Sequence, residues 1–247
     1  MNTGHWTFAV EQLLLPAECA LCNALLGERD AAHLTCAVCR TRFRTVRPPW
    51  CERCGQPEPH FGPCRLCAEW PAALETARSA VWLVEEAQQA VHALKYGGLS
   101  RIADDLALVM APLRPPTGET TGGALIPIPL AARKLRLRGY NQSRLIAREL
   151  GRAWKIPVEE AVIRVRDNGT QTALTPEARL ANVATVFSAA PSGGITDATL
   201  VDDVFTTGAT LRAAANALQE AGWHRVRAVT FACALTYEWR ALADTGS

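Results

Sequence analysis

At 247 residues, 49% apolar and 20% charged, the chain has the composition of a globular protein and not of a disordered or fibrous one. A formal charge of +2 gives no net field that would imply a polyanionic or polycationic partner, and no apolar run approaches the length needed to span a bilayer. The start of the chain has no basic n-region ahead of Leu13-Leu14-Leu15, so no secretory signal is expected and a cytoplasmic location follows.

Phe8, Val10, Leu13 and Leu14 fit the buried side of a short helix. Beyond them the cysteines take over. Eight of nine lie between Cys19 and Cys67 as four Cys-x-x-Cys pairs: Cys19/Cys22, Cys36/Cys39, Cys51/Cys54 and Cys64/Cys67. A two-residue gap lets both thiolates of a knuckle reach one metal, and two knuckles complete a tetrahedral site, so two structural Zn²⁺ ions are expected. Sequential sites, the first two pairs on one ion and the last two on the other, are favoured; a crossed arrangement is the alternative. Disulfides suit an oxidising compartment better, and iron–sulfur ligation less often uses paired knuckles. Residues 1–72 therefore read as a small metal-stapled module, with turns at Gly27, Pro48-Pro49, Gly55, Pro57, Pro59 and Gly62-Pro63. Arg40, Arg42, Arg44 and Arg47, with Trp50 and Phe61 as stacking groups, raise single-stranded DNA as a partner, but acidic residues match the basic ones up to position 70. Structural zinc is the expected role.

Residues 78–247 change texture. A strand is expected over 80–84, then a helix over 85–96 with Ala90, Val91 and Leu94 on one face, broken by Gly97-Gly98. A helix over 102–113, a loop at Pro115-Pro116, a strand over 124–128 and a helix over 141–155 follow. A strand over 162–165, a short helix over 176–183, a strand ahead of Asp202, a helix over 211–222 and a strand over 226–234 complete the series. Strands alternating with helices predict a mostly parallel sheet covered on both faces, with ligands at the carboxyl ends of the strands. Arg133, Lys134, Arg136, Arg138, Arg144, Arg148 and Arg152 crowd one stretch opposed by Glu149, which suits a pyrophosphate, a nucleic acid or a solvated helix face. Cys233 reads as small buried filler in the last strand.

The most informative segment is Thr199-Leu-Val-Asp-Asp-Val-Phe-Thr-Thr-Gly-Ala-Thr210. An apolar strand delivers Asp202 and Asp203, which suit the vicinal hydroxyls of a ribose. Thr206, Thr207, Gly208, Ala209 and Thr210 then offer hydroxyls and free N–H groups to a phosphate at a helix N-terminus. This segment resembles the loop of type I phosphoribosyltransferases that binds 5-phosphoribosyl 1-pyrophosphate (PRPP).

Further motifs widen the resemblance: Leu94-Lys-Tyr-Gly-Gly98, Ile126-Pro-Ile-Pro129, Arg136-Leu-Arg-Gly-Tyr-Asn-Gln-Ser143, Gln171-Thr-Ala-Leu174 and Glu177-Ala-Arg-Leu-Ala-Asn182. With the cysteine pairs in front, the chain is similar to the ComF/GntX family over about Cys19 to Ala234. The resemblance implies a type I phosphoribosyltransferase-like α/β sheet flanked by helices and preceded by a zinc finger, with a link to natural competence and DNA use. It implies that Ile128 lies in a pyrophosphate-binding loop, and that Arg138, Tyr140, Asn141 and Gln142 lie at or beside the site. One departure is Phe205, where such loops commonly carry an aliphatic residue.

For that chemistry Asp202 and Asp203 would hold the ribose and offset oxocarbenium charge, Mg²⁺ would accompany PRPP, and Arg136 and Arg138 would meet the leaving pyrophosphate. Lys95 is a further candidate, or a solvated helix-end residue. Tyr140, Asn141 and Gln142 orient substrate or start the following helix, Asn141 being a good N-cap. Arg179 and Asn182 brace the site or cover its surface. Two functions remain open: phosphoribosyl transfer to an unidentified nitrogen acceptor, or a non-catalytic factor that senses PRPP or a nucleotide and handles single-stranded DNA beside competence proteins. A third, a zinc-bearing adaptor on a degenerate enzyme fold, is opposed by the retained carboxylates and Thr-Thr-Gly turn.

Overall fold

The computed structural model describes residues 16–57, 64, 66–115, 123–165 and 186–234. The expectations at Phe8 to Leu14, Pro59, Phe61, Gly62-Pro63, Gln171–Leu174, the helix over 176–183, Arg179 and Asn182 lie outside them. The described strands are β1 (Leu74–Trp82), β2 (Ala124–Pro127), β3 (Val162–Arg164), β4 (Phe187–Ala189), β5 (Asp197–Phe205) and β6 (Arg225–Cys233). The described helices are α1 (Ala37–Thr41), α2 (Glu85–Tyr96), α3 (Ile102–Met110), α4 (Ala132–Arg138), α5 (Gln142–Trp154) and α6 (Ala209–Glu220).

Four strands form one parallel sheet in the order β1-β6-β5-β2. Neighbouring residues on the central strands point to opposite faces, and both faces are buried. Ile126, Leu200 and Ala228 pack with Ala214, Leu218 and Trp223; Leu125, Val201 and Val229 pack with Leu106, Ile146 and Leu150. That is why these strands read as continuous apolar runs without alternation. The helices present the matching stripes: Ala87, Ala90, Val91 and Leu94 on α2, and Ile146, Ala147, Leu150 and Trp154 on α5, recur at three- and four-residue intervals.

The structure departs from the expected elements at four places. β1 begins six residues before the expected position 80. The helix from 102 ends at Met110 and tightens into a 3₁₀ turn over Ala111–Leu113, where Pro112 cannot continue the α-helical bonding. The strand at 162 stands outside the parallel sheet and pairs antiparallel with β4. Finally, part of the basic stretch forms α4, a helix with no buried residue and hence no apolar periodicity to betray it.

The cysteine-bearing segment lies against the edge of β1. Val46 N–H donates to Ala80 O (3.0 Å) and Trp82 N–H to Arg44 O (2.8 Å), while Thr45 bridges antiparallel to Val81. An edge strand is thereby covered rather than left open. Phe43 packs edge-on against Phe231 of β6 at 5.4 Å. Among the described residues no helix is long and apolar enough to cross a membrane.

Candidate functional site

The eight clustered cysteines form two sets, Cys19/Cys22/Cys36/Cys39 and Cys51/Cys54/Cys64/Cys67, each with all sulfur atoms within 4.8 Å of one another. The pairing is sequential. Representative separations are 3.8 Å for Cys19–Cys39 and for Cys22–Cys36, 3.7 Å for Cys51–Cys67 and 3.5 Å for Cys54–Cys64. A zinc ion about 2.3 Å from each of four tetrahedral thiolates sets the sulfurs about 3.8 Å apart, whereas a disulfide needs about 2 Å. The donor sets therefore fit structural Zn²⁺. Cys36 also caps α1, its sulfur accepting from Cys39 N–H at 3.4 Å.

The first set is tied to the sheet domain by a residue that carries no signal in the sequence. Asp105 of α3 is wholly buried, and its Oδ2 accepts from Leu34 N–H (3.0 Å), Thr35 N–H (2.8 Å) and Thr35 Oγ1 (2.9 Å). Its Oδ1 lies 2.5 Å from His33 Nδ1. Nothing in Ala103-Asp-Asp105 distinguishes this carboxylate from an exposed helical one.

At the carboxyl end of β5, Asp202 Oδ1 accepts from Ser143 Oγ (2.7 Å) and from the Asp203 amide (2.9 Å). Asp202 is half-buried, whereas Asp203 is buried. Burial pushes the Asp202 pKa up to about 7, helped by the neighbouring Asp203 charge and opposed by the Ser143 and amide hydrogen bonds and by Lys95. Asp203 is 3% exposed, and Lys95 Nζ stands 2.9 Å from its Oδ2. The lysine does not aim a proton well at that oxygen, so the contact is chiefly charge against charge. Lys95, in the last turn of α2, thus lies against Asp203 with its side chain 22% exposed. The sequence motif that ends at Ser143 gives this hydroxyl no role of its own; its one cue is its place just after Asn141-Gln142 at a helix start.

Beyond Phe205 the chain turns through Thr206, Thr207 and Gly208 into α6. Gly208 has φ +74° and forms the N-cap without a side-chain bond. Thr206, Thr207, Ala209 and Thr210 are exposed. Among the described residues no protein group accepts from the N–H groups of Thr206, Thr207 or Gly208, while Ala209 N–H reaches Thr207 Oγ1 at 3.4 Å. Donors without a protein partner among the described residues, at the positive end of a twelve-residue helix, are of a kind that can receive an anion.

Ile128 is buried, and its N–H donates to Val201 O (3.0 Å), which sets the β2 loop beside β5. Asn141 caps α5, accepting from Ser143 N–H (3.0 Å), and its amide donates to Ile128 O (2.9 Å). Tyr140 Oη donates to Leu94 O at 2.6 Å. Tyr140 and Asn141 thus lock the loop and two helices together, and Gln142 is buried with its Oε1 accepting from Arg138. Arg138 also lies 5.5 Å over the Tyr96 ring. Arg136 is exposed on α4. Of the other basic groups, Arg144 pairs with Glu160, Arg40 with Asp30, Arg42 with Glu86 and Arg44 with Glu85.

A family model described as Double zinc ribbon domain matches residues 10–68. A protein of Salmonella typhimurium named DNA utilization protein YhgH is 32% identical over 221 residues, which covers 85% of this chain and 94% of its own. Competence protein ComFC of Bacillus subtilis is 26% identical over 193 residues, covering 76% of this chain and 78% of its own. Competence protein F of Haemophilus influenzae is 36% identical over 108 residues, covering 42% and 47%.

Proposed function

Since the chain belongs to the ComF/GntX family of competence and DNA-utilization proteins, we propose that it binds PRPP and transfers its phosphoribosyl group to a nitrogen nucleophile. One observation carries this reading. Two carboxylates at the tip of a parallel strand, Asp202 and Asp203, run directly into a turn whose N–H groups are free among the described residues. Carboxylates accept from vicinal hydroxyls, and free N–H groups at a helix start receive a phosphate. A ribose 5-phosphate presents both groups at the spacing of one sugar.

In the reaction, the C1–O bond of PRPP breaks as the C1–N bond forms; pyrophosphate departs with the electron pair and takes up the proton that the nucleophile gives up. Asp202 and Asp203 accept from the ribose hydroxyls and offset positive charge developing on the sugar. Thr206 to Thr210 clamp the 5′-phosphate. Ser143 and Lys95 hold the two carboxylates in place, and the β2 loop at Ile128, fixed by Asn141, faces the leaving group with Arg138. A Mg²⁺ ion carried with PRPP would neutralise part of the pyrophosphate charge, held by substrate oxygens. Residues 1–72 act as the zinc-held support and residues 78–247 as the substrate-binding unit.

The test is calorimetric titration of PRPP with Mg²⁺ into the protein carrying two zinc ions, beside the Asp202→Asn/Asp203→Asn double variant. Saturable binding that the double variant loses by at least about tenfold (about 1.4 kcal/mol) supports the site. A folded wild type that takes up no PRPP overturns it.

A second reading rests on α4. Arg133, Lys134 and Arg136 are exposed there with Leu137, and Arg138 reaches the exposed Tyr96. Basic groups beside an open aromatic ring suit single-stranded DNA. Neutralising the three exposed bases should then lower the salt slope of oligonucleotide binding by about 2, at roughly 0.7 per phosphate contact. An unchanged slope removes α4 from any DNA path.

A further inference from the structure

The tail of the second cysteine set reaches the proposed phosphate turn. Trp70 follows Cys67 by three residues, is 6% exposed, and packs edge-on against Phe205 at 6.1 Å between centroids. Phe205 is the last residue of β5, directly ahead of the turn. A Cβ added at Gly208 would lie 2.8 Å from Phe205 Cε2, 3.2 Å from Trp70 Cζ2 and 3.3 Å from Trp70 Nε1. The turn thus rests on two aromatic rings, one from the strand and one from the cysteine segment.

Trp70 is itself held by the knuckles. Its N–H donates to Cys67 O at 3.2 Å. Arg53, between Cys51 and Cys54, donates to the carbonyls of Cys67 (3.2 Å), Trp70 (3.1 Å) and Pro71 (2.8 Å), and its guanidinium lies 5.8 Å from the Trp70 ring centroid. From the far side of the turn, Arg212 of α6 pairs with Glu69 at 2.6 Å. One continuous set of contacts therefore runs from the second cysteine set through Arg53 and Trp70 to Gly208.

We propose that Trp70 is a positioning residue for the phosphate turn, so that the second zinc ribbon is a working part of the substrate site and not only a neighbouring support. This rests on the reading of Thr206–Thr210 as a phosphate clamp. Free N–H groups bind an anion well only when their directions are fixed before it arrives. Short of the α6 backbone, the turn has few bonds of its own to fix it, and the indole supplies a rigid wall where Gly208 has no side chain.

The experiment compares wild type, Trp70→Phe and Trp70→Ala, each shown to carry two zinc ions. Affinity for PRPP with Mg²⁺ is read by calorimetry, and amide hydrogen exchange of residues 205–211 is read without ligand. The expected result is at least tenfold weaker binding for Trp70→Ala, recovery to within about threefold for Trp70→Phe, and faster exchange confined to the turn in Trp70→Ala. Rescue by a second aromatic ring separates positioning from a general loss of stability. If Trp70→Ala does not fold with both zinc ions, the Phe and Leu variants give the same ordering. Exchange and affinity in Trp70→Ala equal to wild type overturn the proposal. If wild type binds no PRPP, the substrate reading falls, and the ligand-free exchange still decides whether Trp70 holds the turn.

Discussion

Ser143 Oγ donates to Asp202 Oδ1 at 2.7 Å, joining the first turn of α5 to the tip of β5. This hydrogen bond favours the ionised carboxylate, whereas burial and Asp203 favour the protonated one, and the second pair prevails. With its pKa raised from the ordinary 3.8 to about 7, Asp202 binds its proton more tightly in the folded than in the unfolded chain. Its contribution to stability is therefore fully present below about pH 4 and is lost as pH rises to about 7. Asp202→Asn should remove that loss, gaining on the order of 2 kcal/mol over wild type at pH 8 but little at pH 4. Thermal unfolding of both proteins between pH 4 and 8 checks this, and parallel curves would refute it. The same variant should bind PRPP poorly, so stability and binding should move in opposite directions.

Ser143→Ala removes the hydrogen bond that favours the charged form. It should push the Asp202 titration further up and weaken PRPP binding about three- to tenfold at pH 7, with less effect at pH 8.5, since a hydrogen bond to a charged group contributes about 1.5–3 kcal/mol before compensation. Calorimetry at the two pH values reads the difference.

Gly208→Ala places a Cβ 2.8 Å from the Phe205 ring at a backbone φ of +74°. Strain and the ring contact together should cost on the order of 1–3 kcal/mol. The measurable outcome is a lower unfolding midpoint combined with loss of PRPP affinity, while zinc content stays at two per chain.

Asp105 is the hinge pin of the first zinc ribbon. Asp105→Ala strands the N–H groups of Leu34 and Thr35 and should cost on the order of 3 kcal/mol. Asp105→Asn, which keeps an acceptor oxygen, should cost less. A chromogenic chelator should draw zinc from the first site faster in Asp105→Ala than in wild type, with the second site unaffected; equal rates would show that the ribbon docks by other contacts.

Removal of both zinc ions by a strong chelator should unfold the cysteine segment, because binding free energies on the order of 10 kcal/mol per structural site are folding free energy. Through Trp70, PRPP affinity should fall with the second ion. Metal analysis alongside circular dichroism and titration gives the order of events.

Much of this was legible in residue order alone. The helix over 85–96 announces itself by apolar residues at three- and four-residue steps and ends at Gly97, and the Cys-x-x-Cys pairs point to metal knuckles while leaving a crossed pairing as the alternative to the sequential one. The Asp202-Asp203 tip is marked by its place between a buried strand and a glycine turn. What residue order does not show depends on distance along the chain. Asp105 meets Leu34 and Thr35 some seventy positions away, and Trp70 meets Gly208 across almost the whole of the sheet domain; neither pairing leaves a local pattern. Helix α4 was hidden for the opposite reason, since a helix that buries nothing has no periodicity to read. Strand β4, three residues long, is too short for alternation to register.

The pairing of β1 with β6 has a consequence for how the protein is made. Of the described strands β6 is the last to leave the ribosome, yet it lies at the centre, between β1 and β5. Until residues 225–233 emerge, β1 and β5 have no partner for their facing edges; about 140 residues of chain separate β1 from β6, and about 20 separate β5 from it. Over that interval the zinc ribbons, already synthesised and able to fold on their metal, can keep one side of β1 engaged through Arg44 to Val46. Supply of zinc during translation, and not only after it, should then govern how much of the newly made chain escapes aggregation.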